Sequence, residues 1–396
     1  MKGAQSPLRV AILGTRGIPA QYGGFETFAQ YLSVGLVQRG HEVAVFCEGD
    51  RDRGEFRGVR LEYVKARKLG PLSTLLFDAT CLWRACANFD VVYMLGYGAS
   101  ALCWLPRVFG AQVWINMDGL EWARAKWSRV ARWYLRCAEA IAMLTPNRII
   151  ADAVSIKANL QTRYRKIPIC DVIPYGCEIV STADADELRS FGLNSGSYYL
   201  VVCRFEPENH VREIVEGFLQ SESTQKLVLV GDHRRRGKYV AGLNSYKDDR
   251  IIFAGPVYDA PKIQALRRYC RAYMHGHSVG GTNPSLLEAM GCGNLVIAHD
   301  NAFNREVLGD AAFFFSTPDD ISNAIHILET GPAETGEMRQ QVLERVKSFY
   351  SWEGVVDSYC NLLEIAASTD RARAGEVVAH IPVAPRERSV AYSKAP

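Results

Sequence analysis

The segment His277-Ser-Val-Gly-Gly-Thr-Asn-Pro-Ser-Leu-Leu-Glu-Ala-Met-Gly-Cys-Gly293 places a glycine-rich turn directly before an apolar helical run. An uncapped helix start offers free backbone N–H groups and the positive end of the helix dipole, and both suit a phosphate. Glycine also lets the backbone approach an anion closely. The segment therefore predicts a nucleotide-sugar cradle built from Gly280, Gly281, Thr282 and Asn283, although an ordinary strand-to-helix turn has the same pattern.

One carboxylate, that of Glu288, lies inside the helical run after the glycines. At this position it can accept hydrogen bonds from the hydroxyl groups of a bound sugar. Gly291 and Gly293 are expected to end the helix before a strand at Leu295–Ala298. We therefore predict that Glu288 binds the donor sugar and takes part in catalysis.

The rest of the chain repeats one pattern, in which short apolar strands alternate with helical runs. Nearly continuous apolar strands joined by helices are typical of a parallel sheet covered on both faces. Such connections are right-handed, so each half of the chain is expected to form a Rossmann-like, doubly wound α/β domain. Strands are predicted at residues 9–13, 42–47, 60–64, 91–95, 112–116, 140–144, 171–177, 198–203, 226–230, 250–253, 272–275, 295–298 and 312–315.

The pattern restarts after a polar, acidic stretch at residues 181–189, which marks a domain boundary. We expect an acceptor-side domain at residues 1–178 and a donor-binding domain at residues 179–350. A helix at 351–368 is expected to cross back to the first domain, and a disordered tail is expected at 369–396. Ligands bind beyond the C-terminal ends of parallel strands, so the cleft between the domains is the predicted site.

The composition argues against several classes of protein. The net charge of +3 over 396 residues is too small to indicate nucleic-acid binding, and 48% hydrophobic residues is ordinary for a soluble protein. The 11 cysteines are scattered without a CxxC pair, which predicts reduced core thiols and no metal site. A short polar leader passes directly into a strand, and no run of 18 apolar residues follows, so we expect a cytoplasmic protein without a spanning helix.

Four motifs, the last of which contains the glycine-rich turn, occur in a fixed order: ILGTRGIPAQYGGFET at residues 12–27, NMDGLEWARAKW at 116–127, VCRFEPEN at 202–209 and HGHSVGGTNPSLLE at 275–288. The second half resembles the donor-binding domain of glycosyltransferase family 4, which has the GT-B fold. The first half resembles the N-terminal domain of bacterial rhamnosyltransferases of that family. The resemblance covers roughly residues 8–365.

The resemblance implies two Rossmann-like domains that face each other and transfer a sugar with retention of anomeric configuration. The donor it implies is a nucleoside-diphosphate sugar, most of all dTDP-L-rhamnose, and the acceptor is a hydroxyl of a lipid-linked bacterial glycan. No metal and no other cofactor is implied, because backbone amides and arginine neutralise the leaving diphosphate. Open alternatives are a UDP- or GDP-sugar transferase, a nucleotide-sugar 2-epimerase and a non-catalytic sugar-nucleotide-binding partner.

Two positions depart from the pattern of the family. Many members carry two glutamates eight residues apart, and here Glu288 matches the second whereas Gly280 occupies the first. Many also carry an arginine followed five residues later by a lysine, and here Arg204 matches the arginine whereas Asn209 replaces the lysine. One cation of the usual diphosphate clamp is therefore missing. The candidates to compensate are the amides of residues 280–283, Arg212 and His277.

Arg204 follows the first strand of the second domain, where a guanidinium can bind a diphosphate through two parallel hydrogen bonds. The alternative is a surface ion pair with Glu206 or Glu208. His277 and Asn209 are predicted to lie beside Arg204 in the donor site.

On the acceptor side, Asp118 ends a strand and can orient or deprotonate an acceptor hydroxyl. It can equally cap a helix at Leu120–Ala131. Glu121 can serve in its place or pair with Arg124, and Glu26 is assigned to the same side of the cleft.

Gly23 and Gly24 are predicted to line the cleft near the donor phosphate or the acceptor. A dinucleotide site is the competing interpretation of this loop, but the chain lacks G-x-G-x-x-G there. The stretch Trp122–Arg136 interleaves arginines with aromatic residues, which predicts either contact with an anionic membrane or a solvated helix face.

Overall fold

A computed structural model describes the chain in six stretches. It contains two sheets, one in each half of the chain, and both are built around parallel strands. Two Rossmann-like domains are thereby confirmed. The described residues are 7–20, 23–66, 72–117, 119–124, 127–331 and 335–373.

The sheet of the first domain has eight strands in the order β3-β4-β2-β1-β5-β6-β7-β8. The inner strands are apolar on both faces because helices cover both sides, and only the edge pair β3–β4 is antiparallel. The strands are β1 (Arg9–Leu13), β2 (Glu42–Glu48), β3 (Arg53–Phe56), β4 (Val59–Val64), β5 (Val91–Met94), β6 (Gln112–Met117), β7 (Arg148–Ala151) and β8 (Ile169–Val172).

The sheet of the second domain has six strands in the order β11-β10-β9-β12-β13-β14, all parallel. Its order reverses between β9 and β12, as that of the first sheet reverses between β1 and β5. A crevice forms at the carboxyl ends of strands where the order reverses, so both reversals point to the cleft. The strands are β9 (Tyr198–Val202), β10 (Lys226–Val230), β11 (Ile251–Gly255), β12 (Ala272–His275), β13 (Val296–His299) and β14 (Phe313–Phe315).

Helices connect the strands and bury apolar faces against the sheets, as Phe28 of α1 and Phe218 of α6 do. Cysteines add to this core: all are free thiols, and eight of the eleven are buried. No described helix combines the length and apolar character needed to cross a membrane. The helices are α1 (Gly24–Gln38), α2 (Leu72–Ala85), α3 (Leu105–Val108), α4 (Arg129–Ala142), α5 (Val154–Arg163), α6 (Val211–Gln220), α7 (Lys238–Leu243), α8 (Ala260–Tyr269), α9 (Pro284–Gly291), α10 (Ala302–Leu308), α11 (Pro318–Thr330), α12 (Thr335–Phe349) and α13 (Trp352–Arg373).

The chain passes between the domains at two adjacent places. Cys177 forms a β-bridge with Ser351, and its N–H donates to the carbonyl of Tyr350 at 2.8 Å. Beyond this point α13 packs on the first domain, where the hydroxyls of Tyr359 and Tyr93 lie 2.7 Å apart. The helix therefore crosses back as expected.

The C-terminal helix is longer than the expected 351–368, since it continues to Arg373. The expected disordered tail begins inside this helix, and its remainder, residues 374–396, lies outside the described residues.

Two predicted elements are wrong. Residues 140–144, predicted as a strand, belong to the end of α4 and the turn after it, because the apolar run is one face of a helix. The helix expected at Leu120–Ala131 starts only at Arg129, where the Ser128 hydroxyl accepts from the amide of Ala131 at 3.3 Å. The last strand of the first sheet is β8, and residues 173–177 follow it as the link to the second domain.

Candidate functional site

Two helix N-termini, one from each domain, face each other across the cleft. Gly23 precedes α1 with a φ of 121°, and no side chain caps this end of the helix. A Cβ placed on Gly24 would lie 3.2 Å from Cγ of Pro284, the first residue of α9. The positive ends of two helix dipoles thus converge, and this arrangement favours an anion beside them.

The start of α9 is not uncapped, in contrast to the expectation from its sequence. The side chain of Asn283 accepts from the amide of Ser285 at 2.9 Å, and Pro284 has no N–H to offer. Asn283 therefore uses its side chain to cap the helix. The amides that remain for an anion are those of the preceding turn and of the first turn of α1.

The turn before α9 packs against the first domain. Gly280 has a φ of 134°, and a Cβ on the facing Gly119 would lie 2.8 Å from its Cα. Gly281 lies so close to Asp152 Oδ1 that a Cβ there would overlap it, and the Thr282 hydroxyl donates to the carbonyl of Asp152. Only glycine permits this approach of the two backbones. Thr282 was predicted to bind the donor, but its hydroxyl thus holds the two domains together.

Arg204, Asn209 and His277 form a connected group at the ends of β9 and β12. Asn209 is 7% exposed, donates through Nδ2 to the Arg204 carbonyl at 2.6 Å, and lies with Oδ1 2.7 Å from His277 Nδ1. The residue at the usual lysine position is therefore a linker between its neighbours. It leaves the site without the charge that a lysine would bring.

The guanidinium of Arg204 is exposed, and among the described residues it forms no salt bridge. Glu206, one of its two alternative partners, pairs with Arg235 instead. Arg212, a candidate to replace the missing lysine, lies over the ring of Tyr239 at 5.8 Å. Arg204 thus remains as a cation at the end of β9.

His277 is not a replacement for the missing cation. Burial, together with the charges of Arg124 and Arg204, lowers the pKa of His277 to about 3. The imidazole is therefore neutral at physiological pH, and it offers hydrogen bonds without a charge. Burial also lowers the pKa of His275, whose Nε2 is buried without a hydrogen-bond partner, and lowers the pKa of His299 to about 4.

Glu288 lies in the last turns of α9 and forms an ion pair with Arg267 of α8. Arg267 is 9% exposed, and its Nε is buried without a hydrogen-bond partner. Both residues line a cavity of about 200 Å³ that also reaches Gly24 and the stacked rings of Tyr31 and Trp352. Sequence reasoning missed Arg267, because nothing in its helix distinguishes it from the neighbouring surface arginine.

The acceptor-side carboxylates differ in their surroundings. Glu26 is half-buried in the first turn of α1, next to Gly24. Glu121 pairs with Arg124 at 2.8 Å and accepts from Trp127 Nε1 at 3.0 Å, which is the alternative that the sequence offered. Asp118 lies outside the described residues, directly after β6.

The basic, aromatic stretch Trp122–Arg136 divides into two parts. The ring of Trp122 packs under Arg136 at 4.4 Å and donates to Glu139, so it belongs to the interior of the domain. Val130 and Trp133 of α4 are instead 76% and 67% exposed.

A carboxylate of the second domain closes the far side of the cleft. Glu306 of α10 accepts from the amides of Val154 and Ser155 at 2.5 and 2.9 Å and from the Ser155 hydroxyl at 2.8 Å. A carboxylate is favoured at this place by the free N–H groups at the start of α5. Glu306 therefore joins the domains and binds no ligand through these atoms.

Comparison with known proteins agrees with this geometry. The sucrose-phosphate synthase of Thermosynechococcus elongatus superposes with a TM-score of 0.78 at 19% identity, over 91% of this chain and 100% of that one. The Anabaena protein HepE, in complex with UDP and glucose, superposes with a TM-score of 0.73 at 17% identity, over 90% and 99% of the two chains. The fold is that of the GT-B glycosyltransferases.

Sequence comparison adds a curated relative, the alpha-monoglucosyldiacylglycerol synthase of Streptococcus pneumoniae. It is 27% identical over 190 residues, which are 43% of this chain and 40% of the relative. The match thus spans about two fifths of the length of that protein. An uncharacterized glycosyltransferase of Methanocaldococcus jannaschii is 28% identical over 170 residues, which are 40% of this chain and 41% of that protein.

The fold of this chain is that of the GT-B glycosyltransferases, and its sequence matches one family model in each domain. More particularly, residues 186–348 match the family "Glycosyl transferases group 1" and form the second domain. Residues 8–178 match a domain of unknown function, DUF1972, and form the first.

Proposed function

We propose that the chain is a retaining glycosyltransferase that moves a sugar from a nucleoside-diphosphate donor to a hydroxyl of a bacterial surface-glycan intermediate. The proposal rests on one observation above others, the meeting of two helix N-termini, one from each domain, at Gly24 and Pro284. Such a place stabilises two phosphate groups without a metal. The relative known as HepE binds UDP and glucose in a structure of the same fold.

The donor diphosphate binds beside the contact of the two helix ends in this proposal. Arg204 and the amides of the turn at Gly280 and Gly281 stabilise the negative charge that grows on the leaving diphosphate. Glu288 binds donor hydroxyls, with Arg267 holding its carboxylate in place. Contact between the domains excludes water, which limits hydrolysis of the donor.

The acceptor hydroxyl approaches from the first domain. We propose that Asp118 orients it and receives its proton, with Glu26 and Glu121 at the same side of the cleft. The site is expected to need no metal and no further cofactor, because its positive charge is supplied by arginine and backbone amides.

For the donor we propose dTDP-L-rhamnose, on the resemblance of the four motifs to rhamnosyltransferases. A thermal-shift panel of dTDP-rhamnose, UDP-glucose, UDP-GlcNAc, GDP-mannose and NAD, without added metal, tests this choice. A ligand well above its dissociation constant raises the unfolding midpoint by mass action. A rise with dTDP-rhamnose alone supports the proposal. A rise with a UDP- or GDP-sugar overturns only the donor, and a rise with NAD alone overturns the whole proposal.

Replacing Arg204 by glutamine is expected to weaken donor binding about tenfold or more. A hydrogen bond to a charged partner contributes about 1.5–3 kcal/mol, and the variant loses a charge-assisted, two-bond contact to phosphate. Isothermal titration of the preferred nucleoside diphosphate measures the change.

Arg236→Gln, at an exposed arginine in the loop before α7, is the matched control and should bind like the unchanged protein. Equal affinity of Arg204→Gln and the control would remove Arg204 from the donor site. Binding without turnover would favour a non-catalytic partner, and conversion of the donor alone would favour an epimerase.

For the acceptor we propose a lipid-linked glycan at the cytoplasmic face of a membrane. The first domain exposes apolar side chains on three neighbouring helices: α2 packs on α3, and Arg107 of α3 donates to the carbonyl of Thr145 after α4 at 2.6 Å. We call these side chains the aromatic face: Trp83, Trp104, Val108, Phe109, Val130, Trp133 and Leu144, each between 48% and 77% exposed.

Basic side chains border the aromatic face, and this combination of apolar and positively charged groups suits binding to an anionic membrane. Arg84, Arg107 and Arg129 are exposed on the same three helices. Aromatic rings settle at the level of lipid headgroups, and arginines attract anionic lipids. A peripheral position at the membrane would bring the first domain to a lipid-linked acceptor.

The variant Trp133→Ser is expected to weaken binding to anionic vesicles about tenfold, because the transfer of one large apolar side chain contributes roughly 1.5–3 kcal/mol. Sedimentation with vesicles of phosphatidylglycerol and phosphatidylcholine measures this binding. Vesicles of pure phosphatidylcholine show how much of the binding depends on the charge of the lipid. Phe349→Ser is the control, because Phe349 is 59% exposed but lies in the second domain. Failure of the unchanged protein to sediment would overturn the membrane proposal and leave the donor proposal intact.

A further inference from the structure

We infer that Arg124, a residue of the first domain, supplies the second cation of the diphosphate site in place of the lysine that Asn209 replaces. The inference rests on the proposed function, because it assigns a further residue to the same donor site.

The backbone brings the segment that carries Arg124 onto the turn before α9. Gly119, two residues after β6, has a φ of 112°, and a Cβ there would lie 2.8 Å from Gly280 Cα and 3.2 Å from Gly281 N. The segment then forms a short 3₁₀ turn at Glu121–Ala123, directly before Arg124. Arg124 therefore starts from the part of the first domain that lies on the proposed phosphate-binding turn.

The side chain of Arg124 is held in place, but its contacts do not occupy all the N–H donors of the guanidinium. It is 16% exposed and forms an ion pair with Glu121, whose Oε2 lies 2.8 Å from Nε. This Nε is buried, and its contact with Oε2 has the distance of an ion pair without the alignment of a hydrogen bond. A guanidinium carries five N–H donors in a rigid fork, so one carboxylate does not exhaust it.

The partner of Arg124 is fixed in turn by the surrounding domain. Glu121 Oε1 accepts from Trp127 Nε1 at 3.0 Å, and the amide of Glu121 donates to the hydroxyl of Tyr97 at 3.1 Å. A guanidinium that is oriented beforehand loses little conformational entropy when an anion binds. This is the arrangement expected of a binding residue, whereas a surface arginine would stay mobile.

The charge of Arg124 acts at the donor site itself. Besides burial, the charges of Arg124 and then of Arg204 lower the pKa of His277. Two guanidiniums from different domains therefore act on one imidazole, and their mutual repulsion is relieved when an anion lies between them. Two arginines that follow Arg204 in the second domain are engaged elsewhere, Arg235 with Glu206 and Arg212 over Tyr239.

A clamp divided between the domains has a consequence that a clamp on one domain lacks. A ligand with two phosphates can contact both guanidiniums, whereas a nucleoside contacts neither. Loss of Arg124 should therefore reduce the affinity for a diphosphate and leave the affinity for the nucleoside unchanged. A purely structural role of Arg124 would lower both affinities together, because it would disturb the whole site.

The experiment is isothermal titration of the purified protein with dTDP, UDP and GDP, then with the monophosphate and nucleoside of whichever binds. Arg124→Gln should bind that diphosphate about tenfold or more weakly, with the nucleoside unaffected. Arg124→Lys should recover part of the loss. Arg165→Gln, at an exposed arginine that follows α5 of the first domain, is the matched control and should bind normally.

Glu121→Gln separates binding from structure, since it breaks the ion pair but keeps the guanidinium. If Arg124 binds phosphate, Glu121→Gln keeps the charge that contacts the phosphate and should lose less diphosphate affinity than Arg124→Gln, with the nucleoside unaffected. Equal diphosphate affinity in Arg124→Gln and the unchanged protein would overturn the inference, as would a loss in Glu121→Gln as large as that in Arg124→Gln, or an equal loss for the nucleoside. If the unchanged protein bound none of the three diphosphates, the proposed function itself would fall, and the inference with it.

Discussion

Alanine in place of Gly281 is expected to lower the free energy of unfolding by about 1–3 kcal/mol, the usual cost of overpacking. Its Cβ would overlap Asp152 Oδ1 and lie 2.6 Å from Ile156 Cδ1. Neither neighbour can yield easily, because Asp152 is 2% and Ile156 3% exposed. The strain is relieved only if the two domains move apart at this point.

Urea unfolding measures the loss of stability, and titration with the preferred nucleoside diphosphate measures the loss of the closed site. Gly336→Ala is the matched control, since a Cβ at Gly336 of α12 meets no atom within 4 Å. Alanine is favoured over glycine in a helix, so the control should be neutral or slightly stabilising. If Gly281→Ala had an unchanged free energy of unfolding, the contact between the domains would rearrange around the added Cβ without loss of stability.

Acidification is expected to destabilise the fold through the histidines of the donor site. The unfolded pKa of histidine is about 6.5, and burial and nearby arginines hold the folded pKa of His277 at about 3. At a pH between these two pKa values the histidine is therefore protonated in the unfolded state, whereas His277 stays neutral in the folded state. The stability from His277 is fully present above pH 6.5 and is lost as the pH falls toward 3.

Between pH 7.5 and pH 5.0 the loss from His277 amounts to about 2 kcal/mol, at about 1.4 kcal/mol per pH unit below the unfolded pKa. Burial lowers the pKa of His275 in the same direction and adds a loss of the same sign. Asp78 opposes them, because burial raises its pKa to about 7 and its protonation favours the folded state as the pH falls. The part of the stability loss that comes from His277 must therefore be measured as a difference between the unchanged protein and a variant without this histidine.

The variant His277→Asn keeps a polar group near Nδ1 and removes the titrating ring. Urea unfolding at the two pH values should show a loss of stability smaller by about 2 kcal/mol in this variant. His326→Gln is the control, because His326 is exposed on α11. A loss equal to that of the unchanged protein would show that His277 accepts a proton in the folded site.

The strands were well predicted because each is short, apolar and bounded by turns. β10 and β12 were predicted with their observed limits, and β1 likewise. Residues 140–144 failed because a buried helix face and a buried strand show the same short apolar run. β3, at the sheet edge, was missed because its sequence is polar and alternates with glycine.

The places of the candidate site residues in the fold were predictable where chemistry and chain position coincide. Arg204 follows β9 and Glu288 lies within α9, as their places in the sequence indicate. Contacts between distant residues left no trace in the sequence, and the pairing of Glu288 with Arg267 is one example. Asn283 shows a second limit of prediction from sequence. An asparagine at this position can cap the helix or bind an anion, and the sequence pattern is the same for both roles.

The helix α13 makes the order of synthesis matter. The first domain ends near Cys177, but its surface groove for Tyr359 stays empty until the ribosome has made the second domain as well. At about 5–20 residues per second, this delay lasts roughly ten to thirty seconds. The nascent first domain therefore spends that time with the side chains that α13 later covers, such as Phe28 and Tyr93, without their partner Tyr359.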